Sequence, residues 1–268
     1  MVGPGSGETT IAWERKRRWD NPQTASTYHD FALHYGLYDE LGKSLVAFAD
    51  IRPGMTVVEL ACGTGVTTKR ILERLQGNGR VYAIDYSPTM LHYAETDTDG
   101  PVEFVLSTAE NVANRVDGPV DRVLCSSAFW QIDRPAVLSA VRSLLTKNGV
   151  FVFNNPVGGN PVLGALLKKM AELSPDTFTT QRFKTTLPEN IEAALRENHF
   201  KTIDHRGIYL NATPDEARAF LHIDSMTEQY FPSLSYEKRL ELTDQAYELM
   251  DRRIKEKSKW ELYKTKPA

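Results

Sequence analysis

The segment from Glu59 to Gly65, Glu-Leu-Ala-Cys-Gly-Thr-Gly, carries the residues of this chain best suited to ligand chemistry. Its glycines accept positive φ and let backbone approach a ligand, and the helix predicted to follow directs unpaired N–H groups at that ligand. Asp85 ends the next apolar run, about 20 residues after Gly65. Its carboxylate is therefore placed to accept hydrogen bonds from two ribose hydroxyls. Together the two features predict a crevice that binds adenosine.

Thr68 bears on which adenosine-containing cofactor this crevice takes. In the dinucleotide-binding fingerprint a third glycine, or an alanine, packs the helix against the strand, and Thr68 occupies that position here. A pyrophosphate site is therefore poorly supported. A nicotinamide-dependent oxidoreductase remains an alternative, because it would share the glycine-rich turn and the acidic residue at position 85.

Short apolar runs rich in β-branched residues alternate with amphipathic helical stretches, a pattern typical of parallel strands joined by crossover helices. The expected fold is α/β: a doubly wound, mostly parallel seven-stranded sheet with helices on both faces and helical lid insertions. Two crossover helices are expected to stop at Gly77-Asn78-Gly79 and at Asn148-Gly149. The apolar runs are residues 57–60, 81–84, 102–106, 122–125 and 150–153.

The turn and the acidic strand end resemble the first two motifs of class I S-adenosylmethionine-dependent methyltransferases. The likeness continues in order through Ser87–Ala94, Phe104–Val112 and Asp121–Pro135, and covers about residues 50–155. It implies a Rossmann-like fold, S-adenosylmethionine as cofactor and S-adenosylhomocysteine as product. It also implies in-line methyl transfer to an oxygen, nitrogen or carbon atom of a small-molecule acceptor. The length of the predicted lid segments suits a moderately bulky acceptor, which suggests secondary metabolism as the context.

The resemblance also implies roles for individual residues. Glu59 would hold the methionine ammonium group, and Asp85 would bind the ribose hydroxyls. Thr108 stands where the family usually has an acidic residue in its adenine loop. The other implied contacts are Tyr28 over the cofactor, the backbone of Ala61, Cys62, Gly63, Thr64 and Gly65 around methionine and ribose, Tyr86 and Met90 against adenine, Ala109 and Glu110 at the adenine edge, and Ser126 near the methionine.

Segments that interrupt the strand and helix alternation are predicted to be insertions that close over the cofactor. The stretch Asn154 to Pro161 is interpreted as a loop, and a strand is expected from Lys201 to Tyr209. The predicted layout is an N-terminal helical lid segment (1–45), an S-adenosylmethionine-binding core (46–156), a first lid insertion (157–186), the core continued (187–212), a second, helical lid insertion (213–258) and a closing strand at the sheet edge (259–268).

A general base is needed only if the acceptor is a hydroxyl, a carbon acid or a protonated amine. The candidate catalytic residues are His29, His222 and Asp224, and His34 and Glu228 are further candidates. A surface or structural role is the alternative for each. A protein that binds S-adenosylmethionine without transferring its methyl group therefore stays open as a further hypothesis.

Aromatic residues near the fourth strand and in the second insertion suit an apolar acceptor pocket. Aromatic side chains at helical spacing also serve ordinary core packing, so that alternative stays open for each of them except Trp130. The predicted pocket residues are Phe129, Trp130, Phe220 and Tyr230.

Composition narrows the partners. A formal charge of -3 gives no electrostatic reason to expect nucleic acid. No signal-peptide core or run of about 18 apolar residues occurs, so no membrane contact is expected.

Cys62 and Cys125 lie in apolar stretches, which favours reduced thiols and a cytoplasmic location. No metal site is expected, since the histidines and cysteines lack ligand-like spacing. A small-molecule acceptor is the expected partner of a monomer or homodimer.

Overall fold

The computed structural model describes residues 17–179 and 188–268. The strands are β1 (Thr56–Leu60), β2 (Arg80–Asp85), β3 (Val102–Leu106), β4 (Val120–Cys125), β5 (Leu145–Val157), β6 (Phe200–Ala212) and β7 (Glu256–Pro267). The α-helices are α1 (Pro22–His34), α2 (Leu37–Ala49), α3 (Val66–Leu75), α4 (Pro88–Asp97), α5 (Arg134–Leu144), α6 (Pro161–Leu173), α7 (Pro188–Glu197), α8 (Pro214–His222), α9 (Asp224–Glu228) and α10 (Tyr236–Leu249). Short 3-10 turns occur at Ala109–Asn114 and Pro175–Thr177.

The seven strands form one sheet in the order β3-β2-β1-β4-β5-β7-β6. The pairs β2–β3, β1–β2, β1–β4 and β4–β5 are all parallel. The predicted α/β fold with a mostly parallel seven-stranded sheet is thereby confirmed. The strand order reverses between β1 and β4, and ligands of open α/β sheets bind at the carboxyl ends of the strands at such a reversal.

Successive side chains of the central strands pack on opposite faces of the sheet, as the period of two in a β-strand requires. Val58 joins one apolar cluster together with residues of α5 and α7. Its neighbour Val57 joins a second cluster with residues of α2 and α3. Phe153 and Val152 of β5 divide between the same two clusters. Because both faces are covered by helices, Val57, Val58, Val152 and Phe153 are all fully buried.

The described chain divides into two compact units. The sheet unit comprises the described residues of 36–155, 185–208 and 260–268. The helical unit comprises those of 1–35, 156–184 and 209–259. The predicted end of the N-terminal lid at residue 45 falls inside α2, where Leu45, Val46 and Phe48 pack in a cluster of the sheet unit.

The helical unit has an apolar core of its own. Leu166 and Met170 of α6 cluster there with Leu221 of α8, Phe231 and Leu242. Helices α8, α9 and α10 lie within residues 213–258, the range of the predicted second insertion. Its longest helix, α10, has 14 residues, and within residues 17–179 and 188–268 no helix combines the length and apolar character needed to cross a bilayer.

Two predicted features of β5 are wrong. Helix α5 ends at Leu144 and β5 begins at the next residue, so Asn148-Gly149 lies inside the strand and does not stop a helix. A Cβ at Gly149 would lie 3.0 Å from the Val120 carbonyl oxygen, which indicates that glycine permits a close approach of β4. At its other end β5 runs to Val157, so part of the predicted loop 154–161 is strand.

The position of the closing strand also differs from the prediction. Strand β7 lies between β5 and β6, and the sheet edge is formed by β6. The Thr265 hydroxyl donates a hydrogen bond to the Phe151 carbonyl of β5 at 3.0 Å. Leu262 and Tyr263 of β7 pack on opposite faces of the sheet. These contacts make β7 an interior strand.

Candidate functional site

The turn after β1 is built from positive-φ residues. Ala61, Gly63 and Gly65 have φ of 53°, 55° and 82°. The Cys62 N–H donates to the Ile84 carbonyl at 2.9 Å, and the Gly65 N–H donates to the Cys62 carbonyl at 3.0 Å. These bonds tie the turn to the end of β2 and bring it to the N-terminus of α3, where N–H groups are unpaired.

Asp85 connects the ends of three neighbouring strands. The Gly63 N–H donates to Asp85 Oδ2 at 2.9 Å, and the Ser87 N–H donates to Asp85 Oδ1 at 2.9 Å. The Ser107 N–H, just after β3, donates to the Asp85 carbonyl at 2.9 Å. The predicted adjacency of the glycine-rich turn and the acidic strand end is therefore present in the structure. A carboxylate oxygen can accept more than one hydrogen bond, so these contacts do not exclude ribose hydroxyls.

Glu59 is a buried acid directly beneath the turn, with 1% of its surface exposed. The Thr68 hydroxyl donates to Glu59 Oε2 at 2.5 Å. Burial raises the pKa of Glu59 to about 8; the negative charge of Asp85 acts in the same direction and the Thr68 hydrogen bond opposes it. The carboxyl group is therefore protonated at neutral pH. A cation beside it would lower its pKa and favour the ionised form.

The space around Gly65 shows how tightly the turn is packed. A Cβ there would lie 2.9 Å from Thr98 Oγ1 and 3.2 Å from Ala94 Cβ, at a φ of +82°. We predict that Gly65→Ala lowers the free energy of unfolding by about 2–4 kcal/mol through left-handed strain and overpacking. Gly77→Ala is the matched control, since Gly77 has φ +76° and open space around it, and its expected loss is about 1–2 kcal/mol. Equal losses in urea unfolding would show that packing around Gly65 is loose.

The ends of β4 and β5 carry a second group of polar residues. Ser127 has a φ of 56°, which is unusual for a residue other than glycine. Its N–H donates to Asn154 Oδ1 at 2.7 Å, and the Asn154 amide nitrogen lies 3.5 Å from Ser126 Oγ. Because β1 pairs with β4 through Leu60 and Cys125, this group lies beside the glycine-rich turn.

The remaining predicted cofactor residues of the sheet unit follow β2 and β3. Met90 is buried and its N–H donates to the Ser87 hydroxyl at 3.3 Å. Ala109 is also buried, whereas Tyr86 and Thr108 are partly exposed. Glu110 accepts a hydrogen bond from the Asp133 N–H at 3.0 Å, so its carboxylate supports the start of α5. Its predicted role at an adenine edge stays a prediction.

Phe129 is placed differently from its prediction as a pocket residue. Its ring is fully buried, with its centroid 4.0 Å from that of Phe153 and 5.5 Å from that of Phe151. It therefore belongs to the apolar core of the sheet, which is the alternative that aromatic spacing left open. Trp130 is partly exposed and lies 6.0 Å from Trp260 between ring centroids, so it keeps a surface that a ligand can reach.

Asp224, a predicted base, is a buried structural acid of the helical unit. Arg239 Nη2 donates to Asp224 Oδ1, and Asn21 Nδ2 donates to Asp224 Oδ2 at 2.9 Å. These contacts join the start of α1 to α9 and α10. Removing one partner of a buried ion pair is strongly destabilising. We therefore assign Asp224 a structural role in place of the predicted catalytic one.

The other predicted residues of the helical unit lie on α1, α8 and the segment after α9. His222 Nε2 lies 2.9 Å from Asp244 Oδ1. The Phe220 ring packs edge-on against Phe31, with 5.6 Å between ring centroids. Tyr230 is stacked on Phe178 at 6.4 Å. Tyr28 packs against Trp19, and His29 is partly exposed on the same helix; the roles of these residues stay predictions.

Three site residues were missed or misinterpreted in the sequence. In the sequence, Thr68 is notable only because it occupies the position of the third glycine of the dinucleotide-binding fingerprint. In the structure its hydroxyl is the hydrogen-bond donor to Glu59. Asn154 and Asn155 were assigned to a loop, although two adjacent asparagines directly after the apolar Val150–Phe153 run signal polar groups at a strand end.

The described residues offer little other reactive chemistry. Cys62 and Cys125 are buried free thiols, and burial raises the pKa of both. Both thiols therefore stay protonated. Within residues 17–179 and 188–268, no group of three His, Cys, Asp or Glu side chains is arranged to hold a metal ion.

Comparison with known proteins shows which proteins this chain is similar to. Residues 57–149 match the family described as methyltransferase domain. The chain is 27% identical over 130 residues to malonyl-acyl-carrier-protein O-methyltransferase 1 of Ilyobacter polytropus, with 47% of each chain covered. It is 26% identical over 168 residues to the ubiquinone biosynthesis O-methyltransferase of Paraburkholderia xenovorans, covering 59% of this chain and 69% of that one. The chain thus spans about half the length of the first relative.

Solved structures share the fold. A S-adenosylmethionine-dependent methyltransferase from Thiobacillus denitrificans, in complex with S-adenosyl-L-homocysteine, has a TM-score of 0.54 at 15% identity, covering 85% of this chain and 91% of that one. A cyclopropane synthase from Mycobacterium tuberculosis has a TM-score of 0.51 at 16% identity, covering 84% and 82%. At these identities the likeness concerns the fold alone.

Proposed function

We propose, from the match of residues 57–149 to the methyltransferase domain family, that this chain is a class I S-adenosylmethionine-dependent methyltransferase and transfers the methyl group of S-adenosylmethionine to a small-molecule acceptor. The observation that carries the proposal is the hydrogen bond from the Gly63 N–H to Asp85 Oδ2. It joins the glycine-rich turn and the acidic strand end into one ligand-binding edge. A ligand that carries a ribose beside a compact polar group fits both parts of this edge.

The residues of this edge fit that cofactor. Asp85 offers carboxylate oxygens for the ribose hydroxyls, and the buried carboxyl of Glu59 offers a counter-charge for an ammonium group. The Thr64 hydroxyl is buried without a hydrogen-bond partner among the described residues. A buried polar atom of this kind is costly unless a ligand or water pairs with it. The edge therefore offers more hydrogen-bonding groups than the protein itself uses.

Catalysis in this proposal is mainly positioning. The sulfonium supplies an already activated methyl group, and the protein aligns the acceptor atom with the bond that breaks. The carboxyl ends of β1, β2 and β4 suit this task, because both faces of their sheet are packed. His29 and His222 remain the proposed bases for an acceptor that must lose a proton. The proposed setting is a cytoplasmic monomer or homodimer without nucleic-acid or membrane partners.

Thr68 weighs against the oxidoreductase alternative. Its hydroxyl is committed to Glu59, and both side chains are buried. A third glycine or alanine at this position is what lets the dinucleotide fingerprint pack helix against strand. The arrangement therefore favours an ammonium-bearing cofactor over a pyrophosphate.

Isothermal titration with S-adenosylhomocysteine and with NADH tests the proposal. We expect S-adenosylhomocysteine to bind with micromolar affinity and NADH to bind at least about 100-fold more weakly. A screen of phenols, quinols, amines and carboxylic acids for S-adenosylhomocysteine release then identifies the acceptor class. Tight NADH binding that Asp85→Ala weakens would establish the oxidoreductase instead. Cofactor binding without product from any acceptor would favour a protein that binds the cofactor without transferring its methyl group.

A further inference from the structure

Asn155 is the most conspicuous polar residue that the proposed cofactor site leaves unused. It lies near the carboxyl end of β5 with 1% of its surface exposed. Neither its amide nitrogen nor its amide oxygen has a hydrogen-bond partner among the described residues. An unpaired buried amide is rare and unfavourable. Its presence indicates a partner that binds there.

The strand register gives the place of this amide. Phe153 of β5 pairs with Cys125 of β4, and Cys125 also pairs with Leu60 of β1. The residues just beyond this row belong to the β4 end, the β5 end and the glycine-rich turn. Ser127 follows the same row on β4, and its hydroxyl is likewise buried without a partner in the described chain. Two neighbouring strand ends thus present unsatisfied polar atoms beside the proposed methyl donor site.

The neighbouring asparagine shows that this is not a general property of the strand end. Asn154 is equally buried, yet it accepts a hydrogen bond from the Ser127 N–H at 2.7 Å. Asn154 thereby holds Ser127 in its left-handed conformation, a strained state for serine. One asparagine is structural, and the next is without a partner in the described protein.

The hydrogen-bonding groups of the Asn155 amide and the charges around it limit the kinds of ligand group that Asn155 would bind. Its amide offers donors and an acceptor at one point, which a hydroxyl or a carboxamide can satisfy in both directions. A carboxylate can use only the donors. Asp85 contributes a carboxylate to the same edge of the sheet, and residues 61–65, 126–127 and 154–155 include no cation. An anionic group is therefore disfavoured at this edge.

We propose, building on the proposed methyl transfer, that Asn155 together with Ser127 recognises the acceptor, and that the group recognised is neutral and both donates and accepts hydrogen bonds. Asn155 is then a specificity-determining residue and takes no part in holding the cofactor. A hydroxyl-bearing or carboxamide-bearing acceptor fits this description.

The first test compares Asn155→Leu with its matched control, Asn154→Leu, in thermal unfolding of the free protein. Removing unsatisfied polar atoms from Asn155 is expected to leave the midpoint unchanged or to raise it by about 2–4 °C. Asn154→Leu is expected to lower it by at least as much, because the Ser127 N–H loses its acceptor. An Asn155→Leu protein that unfolds early or does not fold overturns the proposal.

The second test measures binding of phenol, benzamide and benzoate by NMR saturation transfer to protein saturated with S-adenosylhomocysteine. We expect phenol and benzamide to bind more tightly than benzoate, and Asn155→Leu to weaken benzamide about 10-fold while the S-adenosylhomocysteine Kd stays within twofold. Ser127→Ala, a smaller change, is expected to weaken phenol or benzamide in the same direction. Equal binding of benzoate, or unchanged benzamide affinity in both variants, contradicts the inference. Failure of S-adenosylhomocysteine itself to bind contradicts the proposed function instead.

Discussion

Asp85→Ala is expected to abolish measurable cofactor binding, with the S-adenosylhomocysteine Kd rising more than about 100-fold in isothermal titration. The substitution removes the proposed acceptor for the ribose hydroxyls. It also leaves the N–H groups of Gly63 and Ser87 without the carboxylate that now accepts from both. Hydrogen bonds to charged groups contribute about 1.5–3 kcal/mol each, so we expect the free energy of unfolding to fall by about 2–4 kcal/mol as well.

Two variants separate binding from folding in this experiment. Asp85→Asn keeps the size and one acceptor oxygen, so it is expected to retain most of the stability while binding remains weakened. Asp99→Ala removes an exposed acid shortly after α4 and is expected to change neither quantity. An Asp85→Ala protein that binds S-adenosylhomocysteine like the wild type would remove the basis of the proposed function.

Cofactor binding is expected to release about one proton from Glu59 between pH 6 and 7.5. Burial, reinforced by Asp85, raises the pKa of this carboxyl to about 8 in the free protein. An ammonium group beside it would favour the ionised form and lower that pKa. Affinity for S-adenosylhomocysteine should therefore increase close to tenfold per pH unit over this range. Titrations in buffers of different ionisation enthalpy measure the released proton directly.

The free protein provides the control for this proton release. Because the folded pKa lies above the model value of 4.5, the folded state keeps a proton that the unfolded chain loses. Stability is thus expected to fall as pH rises from about 4.5 to about 8. Glu59→Gln is expected to lose both this pH dependence of unfolding and the proton release on binding. Proton release that persists in Glu59→Gln would assign the effect to another group.

The turn and its acid could be predicted from the sequence because their chemistry is local. Gly63, Gly65 and Asp85 occupy positions where strand ends and glycines coincide, and parallel strands bring such ends to one edge. The position of β7 depends on which strands pair over long range, and no local pattern encodes that choice. The end of α5 differs from the prediction for a related reason: Leu145 already pairs with Val120 of β4, so Asn148-Gly149 lies inside β5, between that pair and Val150, despite its turn propensity.

The contacts that individual side chains make also could not be predicted from the sequence. Asp224 and Phe129 have residue types that suit catalysis and a pocket, yet one is ion-paired and the other is core. Asn154 and Asn155 are identical in type and adjacent, and only their hydrogen bonds distinguish them. The sequence therefore predicted the residues of the proposed cofactor site more completely than the residues proposed to bind the acceptor.

The interior position of β7 has a consequence for synthesis of the chain. Among the described strands, β6 has only β7 as its neighbour in the sheet, and β7 is the last of these seven strands to leave the ribosome. Until then the nascent chain carries β6 as an unpaired strand, a state prone to intermolecular association. Translation pauses or nonsense mutations upstream of residue 256 are thus expected to expose this strand and to recruit chaperones or proteases.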